Sequence, residues 1–182
     1  DRPTVDSGVK WFVIVNPVSG SGKGLDDFPL ISKLLRDNET VCEAVFTEHK
    51  CHATELTVSA VTAGYRHIIV VGGDGTLHEV VNGLFIQQVV TPSDVTIALI
   101  SVGTGNDWIR MYGLPKHYSS VIRAIKEGYT FLQDVAAVEY EESRYRQTRY
   151  MANVAGVGFD AAVIERGQRM RSKGRSGASL YI

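Results

Sequence analysis

Cysteine is nearly missing from this chain: Cys42 and Cys51 are the only two in 182 residues, and their spacing matches neither a metal-binding nor a redox motif. A disulfide framework is thereby excluded as the basis of the fold, and free thiols fit a reducing, cytoplasmic setting. An excess of one charge is missing too. The formal net charge of −1 leaves no basic field for a nucleic acid partner. No apolar run approaches the ~18 residues of a membrane-spanning helix, so a membrane would be met only at its surface. Internal repeats and low-complexity segments are also lacking, which removes solenoids and flexible linkers. What remains is 44% hydrophobic and 21% charged, long enough to bury a full core and to hold one domain with part of another.

The apolar run His67-Ile68-Ile69-Val70-Val71 ends at Gly72-Gly73-Asp74-Gly75-Thr76, after which apolar residues recur at helical spacing (Leu77, Val80, Val81, Leu84). Strand, glycine turn and helix start in that order make an anion site. Glycines let the backbone approach a phosphate, and the free N–H groups of the first helical turn point at it. A carboxylate such as Asp74 repels phosphate unless a cation lies between, which points to nucleotide phosphates with Mg²⁺. The simpler alternative is a strand-to-helix turn capped by Asp74 or Thr76.

Two more glycine loops weigh against that alternative. One is Asn16-Pro17-Val18-Ser19-Gly20-Ser21-Gly22-Lys23-Gly24, after a strand at 11–15; the other is Ser101-Val102-Gly103-Thr104-Gly105-Asn106-Asp107, after a strand at 95–100. With a further strand at 41–46 and helices at 25–36, 52–63, 76–85 and 118–127, strand and helix alternate. That order predicts an α/β fold with a doubly wound, mostly parallel sheet of the Rossmann-like kind, which carries all three loops to one edge. Neither standard nucleotide pattern fits. Gly24 follows Lys23 where a P-loop needs Ser or Thr, and Leu25 stands where the dinucleotide fingerprint needs its third glycine.

Together the three loops resemble the catalytic domain of the diacylglycerol kinase-like lipid kinases, a family that includes bacterial lipid kinases, sphingosine kinases and ceramide kinases. The family pattern Asn-Pro-x-Ser-Gly, Gly-Gly-Asp-Gly-Thr-x-x-Glu-Val-x-Asn-Gly and Gly-Thr-x-Asn-Asp stands here at residues 16–20, 72–83 and 103–107. The middle motif alone is shared with NAD kinases and, more loosely, phosphofructokinases; the outer two make the resemblance specific. Ser101 stands where the family commonly has Pro, and Cys51-His52-Ala53 where it commonly has Gly-His-Ala.

The resemblance implies a phosphofructokinase-like nucleotide domain that uses ATP and Mg²⁺ to phosphorylate a hydroxyl of a lipid acceptor at a membrane surface. Asn16, Pro17, Ser19, Gly20 and Lys23 are its nucleotide contacts in the first loop. Gly72, Gly73, Asp74, Gly75 and Thr76 form the phosphate cradle. Glu79 is counted with the nucleotide residues, with a helix-packing hydrogen bond as its alternative. Thr47 takes the family's adenosine-side position, and Thr104 lies in the third nucleotide loop. Asp74, Asp107 and Asp134 match acidic positions tied to metal and water near the phosphates. Arg110, one helical turn beyond Asp107, can pair with it and reach a phosphate. Asp74, Asp107 and Arg110 are thus the catalytic candidates, and Asp74 the local candidate for the base. Two further readings are a kinase of a soluble acceptor such as NAD and a nucleotide-binding relative without catalysis.

After Gly128 the pattern changes. Residues 131–140 and 149–154 alternate as strands around the charged turn 141–144, a hairpin signal rather than another strand–helix unit. A nucleotide domain is therefore expected over 9–130, and the start of a β-rich second domain over 131–182. In the resembled family that domain runs on and supplies the catalytic carboxylate, so the chain reads as cut short at Ile182. The strand edges thus left uncovered are compatible with a homodimer. His49, Cys51 and His52 crowd three soft ligands into four residues, which does not close a tetrahedral site; His52 is expected to begin a helix instead. The basic run Arg166, Arg169, Arg171, Lys173, Arg175 is expected to be a solvated helix face, with anionic headgroups as the alternative partner.

Overall fold

The computed structural model describes residues 9–103, 106–142 and 144–152. Its first strand, β1 (Trp11–Val15), is an unbroken β-branched and aromatic run, and all five residues are buried. Such a run is stable only with both faces covered, as in the middle of a parallel sheet. It is flanked by β2 (Cys42–Phe46) and β3 (His67–Gly72), and β4 (Thr96–Ser101) lies beyond β3. The order is β2-β1-β3-β4, with every pairing parallel. The helices are α1 (Lys23–Asp26), α2 (Phe28–Asp37), α3 (His52–Thr62), α4 (Asp74–Ile86), α5 (Asp107–Met111) and α6 (Tyr118–Glu127), with a short 3₁₀ turn at Pro92–Asp94.

Alternation along the strands sorts side chains into two cores. Phe12, Ile14, Ile68 and Val70 pack with Ala53, Ala60 and Val61 of α3 and Leu77, Val80 and Leu84 of α4. Trp11, Val13, Val15, Ile69, Val71 and Ile100 pack with Ile31 and Leu35 of α2 and Val121 and Ile122 of α6. Helices on both faces of a parallel sheet are the doubly wound architecture expected from the sequence. A glycine sets the spacing between α3 and α4: a Cβ on Gly83 would stand 2.5 Å from the Thr54 carbonyl oxygen and 2.7 Å from the Thr57 Cβ.

The element bounds differ from the sequence expectation in instructive places. The single helix expected at 25–36 is two, broken at Asp27, because Pro29 lies in the first turn of α2 and can sit nowhere deeper in a helix. Asp27 also accepts a hydrogen bond from the Tyr118 hydroxyl at 2.6 Å. Helix α4 starts at Asp74, two residues before its expected start, and β3 extends through Gly72. Gly73 alone is left between strand and helix. Strand β4 is shifted by one residue, with Val95 closing the 3₁₀ turn.

Beyond α6 the chain forms an antiparallel hairpin, β5 (Ala136–Glu142) with β6 (Tyr145–Met151), its pairs running from Ala136↔Met151 to Glu142↔Tyr145. The hairpin is tied to α4. Tyr150 stacks on Phe85, with ring centroids 4.8 Å apart, and Val135, Tyr150 and Ala152 pack on the α3–α4 core. Among the described residues no helix is long and apolar enough to cross a membrane.

Candidate phosphate-binding site

The sheet order reverses between β1 and β3, since β1 leads outward to β2 and β3 leads the other way to β4. In an open α/β sheet the usual ligand position lies beyond the C-terminal ends of two strands that flank such a reversal. The first glycine loop follows β1, the Gly73 turn follows β3, and the third loop follows β4. All three meet there.

The first contact is a polar cluster. Asn16 Nδ2 donates to Thr76 Oγ1 at 2.9 Å, and Ser19 Oγ lies 3.5 Å from the same hydroxyl. The Asn16 backbone N–H donates to the Val71 carbonyl at 2.9 Å, which holds the start of the first loop against β3. Gly20 and Gly103 press together: a Cβ on Gly20, at φ +63°, would stand 2.9 Å from the Gly103 Cα. Gly24 is equally confined, since a Cβ there would lie 1.9 Å from the Asn16 carbonyl oxygen. That packing accounts for a glycine where a P-loop carries Ser or Thr.

The turn after β3 is built differently. A Cβ on Gly72 would collide with Thr76, at 2.6 Å from its Oγ1. Gly73 is extended (φ −112°, ψ −170°), and the nearest atom to a Cβ there is Asn106 Oδ1 at 3.6 Å. A Cβ on Gly75 would meet nothing within 4 Å. Helix α4 makes its first internal bond from the Leu77 N–H to the Gly73 carbonyl at 3.1 Å, so the N–H groups of Asp74, Gly75 and Thr76 have no partner within the helix. Three free donors at the end of a 13-residue helix, beside open glycine surface, suit an anion.

The third loop is held by Asp74. Its Oδ2 accepts the Asp107 N–H at 2.8 Å and its Oδ1 the Trp108 N–H at 3.4 Å, so the carboxylate caps α5. Asn106 donates through Nδ2 to the Gly103 carbonyl at 3.1 Å. The Asp107 carboxylate is exposed and pairs with Arg110 at 3.3 Å. An exposed pair of this kind adds little stability. Trp108 and Ile109 anchor α5 in the α3–α4 core.

The remaining expected residues fall at different distances from this centre. Lys23 opens α1 and is exposed; the Pro17 carbonyl, which accepts the Leu25 N–H at 3.2 Å, helps close the first loop. Thr47 prolongs the β2–β1 pairing through its N–H to the Val15 carbonyl at 2.8 Å, which puts it at the C-terminal end of β2. Asp134 is exposed and follows Gln133, whose Oε1 accepts the Trp108 indole N–H at 2.8 Å. Thr104 lies outside the described residues, as do the stretch 153–161, the basic run 166–175 and the rest of the expected second domain beyond Ala152.

Glu79 is occupied elsewhere. Its carboxylate accepts the Cys51 N–H at 3.0 Å and the Ala53 N–H at 3.3 Å, capping α3. These two bonds are those of the helix-packing alternative. Asn106 was missed as a site residue although it faces Gly73; the available signal was an Asn–Asp pair at a helix start. His49, His52 and Glu55 bring ligand atoms within 4.8 Å of one another. The two imidazoles, however, stack at 4.4 Å with planes 14° apart, so their in-plane lone pairs do not converge on one ion. Burial, then Arg149, hold the His78 imidazole below its ordinary pKa, with Glu79 opposing.

Against known families, residues 10–138 match the diacylglycerol kinase catalytic domain. A Bacillus subtilis (strain 168) protein, YtlR, whose name places it among lipid kinases, is 33% identical over 157 residues, covering 84% of this chain and 49% of the relative. A diacylglycerol kinase of Mycobacterium tuberculosis (strain ATCC 25618 / H37Rv) is 31% identical over 164 residues, covering 89% of this chain and 50% of the relative. The chain thus spans about half the length of these curated relatives. A crystal structure of a diacylglycerol kinase from Bacillus anthracis (strain Sterne) superposes with a TM-score of 0.64, covering 92% of this chain and 55% of that one. Its sequence identity is 24%, so that likeness is one of fold.

Proposed function

Because this chain belongs to the diacylglycerol kinase catalytic domain family, we propose that it is the nucleotide-binding part of a lipid kinase, which transfers the γ-phosphate of ATP to a hydroxyl of a lipid acceptor. The observation that carries this reading is the meeting of three glycine loops at the switch point of the sheet, joined by Asn16–Thr76 and by Asp74 to α5. Phosphoryl transfer asks a protein mainly for positioning and electrostatic stabilisation, and this edge is suited to both.

In this reading the N–H groups of Asp74, Gly75 and Thr76 hold phosphate oxygens, and Gly73 keeps the approach open. Asn16 and Ser19 orient the Thr76 hydroxyl, and Lys23 and Arg110 add positive charge at the rim. Mg²⁺, when bound, offsets the charge on the phosphoryl group in transfer. The donor set fits that ion: Asp74 and Asp107 are hard oxygen ligands at one edge. A carboxylate has about four lone-pair positions, and Asp74 spends two on α5. Asp134 is assigned to the outer part of the same charge cluster, and Thr47 to the adenosine side. The domain division at 9–130 and 131–182 and attachment at a membrane surface belong to the same proposal. So does a homodimer, supported by the exposed apolar side chains of Tyr129, Phe131 and Leu132.

The test is transfer of labelled γ-phosphate from ATP by the whole protein, with Mg²⁺, to diacylglycerol, phosphatidylglycerol, a sphingoid base, a polyprenol and NAD. Label in one lipid class is expected. Label in NAD alone makes the acceptor soluble, and nucleotide binding without transfer to any acceptor leaves a binding module.

A further inference from the structure

The run from Gly72 to Gly83 does two jobs, and its last polar residue belongs to neither the phosphate turn nor the α3 cap. Asn82 lies two helical turns beyond Asp74, about 12 Å along α4 at 1.5 Å per residue. Its Oδ1 accepts the Tyr150 N–H at 3.0 Å, and its Nδ2 donates to the Tyr150 carbonyl at 2.9 Å and to the His78 carbonyl at 2.8 Å. One amide side chain thereby supplies both groups that a neighbouring strand would offer to β6. His78 Nε2 lies 3.3 Å from the same Nδ2, whose two N–H groups are already given to carbonyls, and burial favours the neutral imidazole. The stacking of Tyr150 on Phe85, one turn further along α4, adds a second anchor.

We propose that Asn82 is a positioning residue that fixes the β5–β6 hairpin to the helix whose first turn binds phosphate, and so places the acceptor side of the protein relative to the nucleotide. This rests on the lipid-kinase reading above. The amide touches no part of the phosphate turn, so its effect runs through β6. Asn meets the demand where its relatives fail: Asp keeps the acceptor for the Tyr150 N–H but has no donor, and Leu has neither. The placement matters because transfer needs the acceptor oxygen about 3–3.5 Å from the reacting phosphorus, and an error of about 1 Å costs on the order of 100-fold in rate.

The experiment compares Asn82→Ala and Asn82→Asp with wild type in the whole protein. Three quantities are read: ADP affinity, kcat and KM for the acceptor lipid, and hydrogen exchange at the Tyr150 amide. In Asn82→Ala, kcat/KM for the lipid is expected to fall on the order of 10–100-fold, with ADP affinity within about two-fold of wild type. Exchange at Tyr150 should rise in Asn82→Ala and less in Asn82→Asp, which keeps the bond to that amide. An equal loss of ADP affinity and acceptor turnover would reduce Asn82 to a structural residue of α4. Unchanged acceptor kinetics with exchange at Tyr150 accelerated would show that the clamp exists but positions nothing. A wild-type protein that labels no lipid overturns the lipid-kinase reading. The clamp then stands on exchange alone, and unchanged Tyr150 protection in a folded Asn82→Ala overturns it.

Discussion

A pair of substitutions separates the capping of α5 by Asp74 from the metal role proposed for it. Its carboxylate supplies acceptors to the Asp107 and Trp108 N–H groups, which have no partner inside a helix of five residues. Asp74→Ala removes both acceptors. Loss of a cap costs roughly 0.5–2 kcal/mol, typically about 1. A change of that size in a chain of this length lowers Tm by about 2–4 °C per kcal/mol, so a fall of roughly 1–8 °C is expected. Asn is as good a capping residue as Asp, and its amide oxygen can keep the shorter bond. Asp74→Asn should therefore lose under about 1 kcal/mol and melt within about 4 °C of wild type.

Turnover should separate differently. If Asp74 also helps hold Mg²⁺, removing its charge weakens stabilisation that matters most when phosphoryl charge develops. A fall in kcat on the order of 10–100-fold in Asp74→Asn, about 1.4–2.7 kcal/mol of barrier, is expected, with the KM for ATP changed by less than about three-fold. Thermal unfolding followed by steady-state kinetics on the whole protein measures both. Wild-type kcat in Asp74→Asn, beside a lowered Tm in Asp74→Ala, would show that the carboxylate is only the cap of α5.

Three further outcomes follow from the same geometry. Gly73→Val should melt near wild type, because its φ is ordinary and the nearest atom to a Cβ is 3.6 Å away, yet lose nucleotide binding by blocking the approach to α4; retained ATP affinity in the folded variant would refute the phosphate cradle. Glu79→Ala should lower stability by about 1–2 kcal/mol through the two N–H groups it caps on α3 while leaving the KM for ATP in place, and a raised KM at unchanged Tm would return Glu79 to the nucleotide. Desolvation lowers the pKa of both His67 and His78, so their neutral forms are favoured in the fold; stability should hold above pH 6.5 and decline as pH falls below it, and a denaturation series that shows no smaller decline in His78→Gln would refute that assignment.

Most of the sheet could be read from the chain alone, because β-branched runs such as Trp11–Val15 and His67–Val71 are local patterns whose meaning depends little on distant residues. Glycine spacing did the same for the turn from β3 into α4, since Gly72-Gly73-Asp74-Gly75-Thr76 interrupts an apolar strand and opens a helix. The partners of polar side chains were of another kind. Glu79 caps a helix 26–28 residues earlier, Asp74 caps one 33–34 residues later, and Asn82 holds a strand 68 residues away. A carboxylate or an amide carries the same donors and acceptors wherever it stands. Which backbone groups it satisfies is settled only when packing brings distant segments together and leaves particular N–H groups without water. Local sequence therefore determined the strands and the glycine turn after β3; tertiary packing decided that much of the polar motif would serve the architecture around that turn.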